Sequence, residues 1–143
     1  RLGPQDIVWV DGDRTEQGKR PSRASRCHQA IYQRHPDVRA ICFAHPVHAT
    51  AFSVTDAEFQ SRTIPESYIV LRDIGRIPFG LPYRDFAAVA ERVSMASPAA
   101  VLENDGVLVL GSSVLDAFDR LEVMEATAEA LIFSRRIGEA APM

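Results

Sequence analysis

His45 is the residue best placed for chemistry, because it lies where an apolar run ends and a proline follows. The run from Ala40 to Ala44 predicts a buried strand. Pro46 suits the first turn of a helix, since its missing N–H would have no partner there anyway. His45 would therefore lie at a strand-to-helix corner, where side chains of open α/β sheets often point into a ligand crevice.

Four other side chains could take part in chemistry, but a structural role explains each of them more simply. His48 lies one helical turn beyond the corner, which favours contact with a neighbouring element. His28 lies among apolar helix positions, which is typical of a hydrogen-bonded core histidine. Glu66 falls in the predicted first turn of a helix, where an acidic side chain interacts favourably with the helix dipole. Cys42, within the predicted strand, is typical of a small core residue.

Composition and charge limit the class of protein. The chain has 143 residues, 46% hydrophobic and 24% charged, which is typical of one soluble domain with a substantial core. Its net charge of -3 gives no general attraction to nucleic acid or to anionic membranes, and we expect neither as a partner. No apolar run approaches the ~20 residues of a membrane span. Two cysteines are too few for a disulfide framework, which favours a cytoplasmic setting.

Hydrophobic periodicity and turn residues predict the elements that would position these side chains. Strands are predicted over residues 7–11, 40–44, 76–79, 99–102 and 107–110, the last two joined by an Asp-Gly turn. Pro78 confines the strand over 76–79 to an edge of the sheet. Helical spacing predicts helices over 23–34, 46–54, 85–95 and 114–137. Residues 64–71 fit either a strand or a short helix, and Pro65 followed by Glu66 favours the helix.

The helix over residues 114–137 is the longest predicted element. Ser113 is placed to cap its start, as Ser22 is for the helix over 23–34, and Gly138 ends it. Its predicted buried residues are Leu115, Phe118, Leu121, Met124, Ala128, Leu131 and Ile132. The element order predicts an α/β domain, layered in the α+β manner, with a central, mostly antiparallel sheet covered by helices.

Several separate segments resemble, in order, the class II aldolase/adducin family, to which fuculose-phosphate aldolase and ribulose-phosphate 4-epimerase belong. The matching segments are Pro21-Ser22, a helix with His28 and Ile31-Tyr32, His35-Pro36-Asp37-Val38, His45-Pro46, residues 102–109, and Gly111 with the helix that follows. The resemblance implies one domain over residues 1–143. The chain begins at Arg1 with little before its first strand, so we expect the N-terminal part of this domain to be missing.

The resemblance also implies a zinc-dependent mechanism. Three histidines of the family hold the metal, which binds the substrate's hydroxyl and carbonyl oxygens as a Lewis acid. A glutamate near the start of the first helix acts as acid and base, and serine hydroxyls with backbone amides bind a phosphate. Members are commonly cyclic tetramers with sites at subunit boundaries, which implies a homotetramer here.

This chain departs from the family at the metal positions. Phe43 replaces the first histidine of the family's His-x-His-Pro, and Asp105 replaces the histidine of its Asn-His-Gly turn. The resemblance therefore leaves His45 and Asp105 as the candidate ligands of zinc or another divalent metal. Either they belong to an altered metal site, with His48 or Glu103 as a third ligand, or they form a polar pair at a crevice with no tightly held metal.

The chain also departs from the family at the phosphate and acid/base positions. The family's Pro-Ser-Ser-Glu becomes Pro21-Ser22-Arg23-Ala24, so the acid/base glutamate is absent. Ser22 and Arg23 are the candidate substrate-binding residues, because an arginine beside a helix start can bind an anion; the alternative for Arg23 is a solvated side chain. Glu66 is a candidate replacement for the lost glutamate.

Two functions are compatible with this pattern. The first is an aldolase-like lyase or epimerase of carbohydrate metabolism that acts on a small sugar phosphate or a related hydroxy-carbonyl compound. The second is a non-catalytic relative that keeps the fold for binding or assembly, as adducin-type members do. A general acid/base group contributes ~10²–10⁴-fold to rate, so the lost glutamate favours the second. The corner that places His45 opposite a carboxylate favours the first.

Overall fold

The computed structural model describes residues 3–138, and its regular elements follow the hydrophobic pattern of the sequence. Its strands are β1 (Val10–Asp11), β2 (Arg14–Thr15), β3 (Ala40–Ala44), β4 (Gly75–Ile77), β5 (Ala99–Leu102) and β6 (Val107–Gly111). Its helices are α1 (Ser25–Arg34), α2 (Val47–Ser53), α3 (Pro65–Leu71), α4 (Phe86–Arg92) and α5 (Val114–Ile137). Short 3-10 turns lie at Pro4–Asp6, Ser61–Thr63 and Leu81–Tyr83.

Four of these strands form one sheet in the order β3, β6, β5, β4. β6 is antiparallel to both β3 and β5, whereas β4 is parallel to β5. The sheet is therefore mostly antiparallel, as predicted, and β4 is an edge strand as Pro78 required. β1 and β2 form a separate small hairpin.

Helices cover both faces of the sheet, because its two central strands are apolar at every position. Side chains of a strand alternate between the two faces, so Leu108 and Leu110 of β6 point to one side and Val107 and Val109 to the other. The leucines belong to a buried cluster with α1 and α4, and the valines to a cluster with α2, α3 and α5. Within residues 3–138, no helix has the length and apolar character needed to span a membrane.

Two predicted elements are shorter than expected. The predicted strand over 7–11 pairs only at Val10–Asp11, and Ile7 and Trp9 are 72% and 58% exposed, because this hairpin lies away from the sheet. Helix α4 ends at Arg92, since Val93 is extended (φ -130°, ψ 151°) while its side chain remains in the core.

The predicted buried face of α5 is wrong over its first turns. Leu115 and Phe118 are 68% and 50% exposed, whereas Ala117 is fully buried. The reason is the close approach of α5 to the end of β6: a Cβ on Gly111 would lie 2.4 Å from the backbone N of Ala117. At about 100° per residue, a helix that turns Ala117 toward the sheet turns Leu115 and Phe118 away from it.

Candidate functional site

The corner predicted at His45 is present, and the turn between β5 and β6 lies against it. β3 ends at Ala44, and Pro46, in an extended conformation, is the N-cap of α2. A Cβ at Gly106 would lie 2.3 Å from the carbonyl oxygen of Ala44. Glycine at this position therefore lets the turn approach the end of β3, which brings Asp105 beside His45.

The Asp105 carboxylate accepts hydrogen bonds from two different elements. His45 Nε2 lies 3.0 Å from Asp105 Oδ1, and the Tyr83 hydroxyl donates to Asp105 Oδ2 over 2.7 Å. The Asp105 side chain is 18% exposed, while that of His45 is 60% exposed. An ionised carboxylate only accepts hydrogen bonds, so Nε2 carries the proton of neutral His45 and Nδ1 is left without one.

Arg23 extends this group of side chains through Tyr83. Its guanidinium carbon lies 3.8 Å from the centroid of the Tyr83 ring, which is the geometry of a cation–π contact. The pKa of Tyr83 is raised, mainly by burial and further by the hydrogen bond to Asp105. Arg23 acts in the opposite direction and lowers this pKa. The tyrosine therefore keeps its proton at neutral pH and acts as the donor to Asp105.

Ser22 does not cap α1 in the predicted way. The N-cap residue is Ala24, which offers no side-chain acceptor, because the chain enters the helix two residues later than expected. The Ser22 hydroxyl instead accepts a hydrogen bond from the backbone N–H of Ala24 over 3.3 Å. Ser22 and Arg23 thus lie together just before α1, as the two predicted substrate-binding positions.

A pocket of about 520 Å³ contains both predicted substrate-binding residues and His45. Its lining consists of Ser22, Arg23, Ala24, His28, Ile41, Cys42, Phe43, Ala44, His45, Tyr83 and Leu121. Among residues 3–138, the lining includes one permanent cation, the Arg23 guanidinium, and the Asp105 carboxylate beside the pocket is hydrogen-bonded to His45 and Tyr83 of the lining. The pocket is therefore suited to a small anionic ligand.

Two pocket residues, His28 and Cys42, were predicted to belong to the core, and His28 differs from that prediction. His28 was expected to be a hydrogen-bonded core histidine, but its buried Nε2 has no hydrogen-bond partner within residues 3–138. Burial lowers the pKa of His28, so the ring is neutral at neutral pH. Cys42, predicted as a small core residue, is partly buried and packs against the core cluster of α2, α3 and α5, and it also lines the pocket.

The other candidate residues lie elsewhere. His48 Nδ1 lies 2.8 Å from Glu125 Oε1, so this imidazole faces α5 as expected. Glu103 Oε1 lies 3.7 Å from Arg76 Nε. Glu66 is exposed in the first turn of α3. None of the three lines the pocket.

Tyr83 is the site residue that the sequence did not reveal. A signal existed in the order of the strands, since Tyr83 follows the end of β4, and β4 lies parallel to β5, whose adjacent end leads to Asp105. That adjacency depends on long-range pairing, which local periodicity does not report.

Comparison with known proteins agrees with this fold. The model of the Class II Aldolase and Adducin N-terminal domain matches residues 1–132, and the chain belongs to this family. An L-fuculose phosphate aldolase of Methanococcus vannielii is 33% identical over 130 residues, which cover 90% of this chain and 70% of that protein. A 3-oxo-tetronate 4-phosphate decarboxylase of Haemophilus influenzae is 34% identical over 118 residues, with 78% and 56% coverage. The crystal structure of L-fuculose-1-phosphate aldolase from Thermus thermophilus superimposes with a TM-score of 0.78 at 23% identity, covering 99% of this chain and 75% of that one.

The family generally uses a divalent metal, zinc, but the donor set of this chain does not fit such a site. Protein zinc sites use at least three protein ligands, and residues 3–138 contain no group of three or more His, Cys, Asp or Glu that could hold an ion. The Phe43 ring instead packs against His28, His45 and Tyr83, with centroids 6.2 to 6.3 Å apart. Metal ligation by His45 and Asp105 stays a prediction.

The contact of His48 with α5 predicts a pH-dependent contribution of Glu125 to stability. Glu125 accepts hydrogen bonds from the backbone N–H groups of His48 and Ala49, at 3.0 and 2.9 Å, besides the His48 ring. Burial raises the pKa of Glu125, but these hydrogen bonds outweigh it and the pKa is lowered from 4.5. A carboxyl with a lowered pKa stabilises the fold above its unfolded pKa, and this contribution disappears as pH falls through the folded value.

We therefore expect Glu125→Gln to lower the free energy of unfolding by about 1.5–3 kcal/mol at pH 7, the range for hydrogen bonds to charged groups. Chemical denaturation at pH 7 and at pH 3 measures the difference, which should shrink at the lower pH. Glu129→Gln is the matched control, since Glu129 Oε1 lies 3.9 Å from His48 Nε2 and, among the described residues, Glu129 accepts no backbone hydrogen bond. An equal loss at both pH values would contradict this interpretation.

Proposed function

We propose that this chain is an aldolase-like lyase, or an epimerase, that acts on a small sugar phosphate or a related anionic hydroxy-carbonyl compound. The observation that carries the proposal is the pocket in which, within residues 3–138, Arg23 is the only permanent cation of the lining, His45 is an exposed imidazole, and both oxygens of the neighbouring Asp105 carboxylate are hydrogen-bonded, to His45 and to Tyr83. Such a lining favours an anionic ligand beside a group able to exchange protons.

The named relatives support this class of ligand. The names of the Methanococcus vannielii and Haemophilus influenzae proteins each include a phosphorylated, oxygen-rich compound. Retro-aldol cleavage, epimerisation and decarboxylation of such compounds share one requirement, which is stabilisation of negative charge on a carbonyl oxygen. The Arg23 guanidinium is the group of the described chain that lies in the pocket and offers this charge.

Arg23 is suited to anion binding because its guanidinium is already oriented. Stacking on the Tyr83 ring at 3.8 Å leaves the N–H groups at the rim of the guanidinium plane available for oxygen ligands. The Ser22 hydroxyl lies in the same pocket and supplies a further donor. The predicted zinc or other divalent metal is not part of this proposal, because the donor set does not fit it.

A non-catalytic binding protein is the second candidate, favoured by Ala24 at the position of the family's acid/base glutamate. This candidate shares the pocket and the anionic ligand but forms no product. Turnover therefore separates the two candidates, whereas binding alone does not.

Arg23→Met should weaken binding of L-fuculose 1-phosphate about 10- to 100-fold, since hydrogen bonds to charged groups contribute about 1.5–3 kcal/mol. Isothermal titration calorimetry measures the affinity, and L-fuculose without the phosphate should bind weakly to both proteins. Arg26→Met is the matched control, because Arg26 is an exposed arginine of α1 outside the pocket.

¹H NMR of the same mixtures detects cleavage or epimerisation of the sugar phosphate. Equal binding by the Arg23→Met variant would contradict the proposal, and binding without product would select the non-catalytic candidate.

We also propose that the chain forms a homotetramer in a cytoplasmic setting. Members of the family are commonly oligomeric, and the start of α5 exposes Val114, Leu115 and Phe118, which are 76%, 68% and 50% exposed. Leu121, one helical turn beyond Phe118, lines the pocket, so this apolar surface reaches the site. The free thiols of Cys27 and Cys42 are compatible with a reducing compartment.

Light scattering coupled to gel filtration should give about four times the 15.8 kDa of the chain. Phe118→Asp should lower this mass, because a carboxylate buried in an apolar interface is destabilising. Ile69→Asp on α3, also at an exposed apolar residue, should leave the mass unchanged. A monomeric mass at every concentration would refute the oligomer.

A further inference from the structure

The side chains around Asp105 occupy positions that the family resemblance associates with a metal cage. Phe43 stands where the family has a histidine ligand, and each oxygen of Asp105 already accepts a hydrogen bond, from His45 or from Tyr83. What remains is an imidazole held by a partly buried carboxylate at the wall of a pocket. A carboxylate that orients an imidazole in this way is a recurring arrangement for proton transfer.

The hydrogen bonds determine which nitrogen of His45 is basic. Asp105 holds the proton on Nε2, so the lone pair of the neutral ring is on Nδ1. The same carboxylate stabilises the imidazolium that forms when Nδ1 takes up a second proton. Because the ring is 60% exposed and lines the pocket, a ligand there can reach it.

We propose that His45, oriented by Asp105, is the proton-transfer residue of this site and works without a bound metal ion. This inference rests on the proposed function, since it assumes a hydroxy-carbonyl anion in the pocket. It assigns to the imidazole the task that the absent glutamate would perform, and it gives His45 a role other than metal ligand.

The proposed step is an enolisation of the bound ligand. A C–H bond next to the ligand's carbonyl group breaks, and its proton moves to His45 Nδ1. The electron pair of that bond becomes a carbon–carbon double bond, and the π pair of the carbonyl moves onto oxygen. The Arg23 guanidinium, in the same pocket, stabilises the resulting enolate. Return of the proton from Nδ1–H to carbon completes an exchange or an epimerisation without any other reactant.

Tyr83 is a positioning residue in this arrangement. Its hydroxyl donates to Asp105 Oδ2 over 2.7 Å, which fixes the carboxylate plane with Oδ1 toward His45. The ring of Phe43 packs against the rings of both His45 and Tyr83, with centroids 6.2 and 6.3 Å away. The orientation of His45 thus depends on side chains from three separate segments.

Hydrogen–deuterium exchange of dihydroxyacetone phosphate tests the step directly. The wild-type chain, incubated with this probe in D₂O and excess EDTA, should incorporate deuterium next to the carbonyl, as ¹H NMR reports. His45→Ala should lose about 10²–10⁴-fold of this rate, the usual contribution of a general base. Added imidazole should restore part of the exchange rate of the His45→Ala variant and should not accelerate the wild-type protein. A merely structural role of His45 would not produce this rescue.

A second variant tests the role of Asp105. Asp105→Asn should slow exchange in the wild-type background, because the amide no longer stabilises the imidazolium. In the His45→Ala background with added imidazole, Asp105→Asn should have little further effect, since free imidazole is not held by residue 105. His48→Gln, which changes a histidine outside the pocket, should exchange at the wild-type rate. Circular dichroism confirms that each variant is folded.

Several outcomes would overturn the inference. One is exchange that EDTA abolishes and zinc restores in the wild-type protein, which would make His45 a metal ligand while leaving the proposed function intact. Another is absence of exchange although calorimetry shows that dihydroxyacetone phosphate binds. Full exchange by His45→Ala without imidazole would also overturn it. If neither dihydroxyacetone phosphate nor L-fuculose 1-phosphate binds, the proposed function itself fails.

Discussion

The Asp105 carboxylate is the interaction on which the site depends. A largely buried carboxylate is costly unless donors satisfy its oxygens, and here two donors come from elements distant in sequence, His45 after β3 and Tyr83 after β4. The carboxylate thereby joins three chain segments at one end of the sheet. Without Asp105, no hydrogen bond in the described chain would orient the ring of His45.

Backbone geometry makes this junction possible. The turn between β5 and β6 lies so close to the end of β3 that only a residue without a Cβ fits at position 106. Asn104, in the same turn, has a positive φ of 52°, and its N–H donates to the carbonyl of Ser53 in α2. The carboxylate is therefore held by a turn that is tied to its surroundings on two sides, which is the kind of support a functional side chain needs.

The fold was largely predictable from the sequence, because its strongest signals are local. The bounds of β3 and α5 and the hairpin of β5 and β6 follow from apolar periodicity and turn residues. The buried face of α5 was predicted correctly at Met124, Ala128 and Leu131. Its first turns were not predictable, because the contact of Gly111 with Ala117 sets their orientation.

The site was predictable only in part. The resemblance to the family brought His45 and Asp105 into consideration, and the structure places them in hydrogen-bond contact. Tyr83 and its stacking partner Arg23 meet through tertiary structure alone, because 60 residues separate them in the chain and no local pattern links them. The resulting arrangement is a group of aromatic rings around one carboxylate, in a chain of the class II aldolase and adducin family.

The most direct test of this account is the protonation of the His45 ring, measured by long-range ¹H–¹⁵N correlation NMR at a pH where the ring is neutral. We predict a proton on Nε2, an unprotonated Nδ1, and no change in either ¹⁵N shift when zinc is added. A proton on Nδ1, or a zinc-induced shift of either nitrogen that shows coordination, would contradict this prediction.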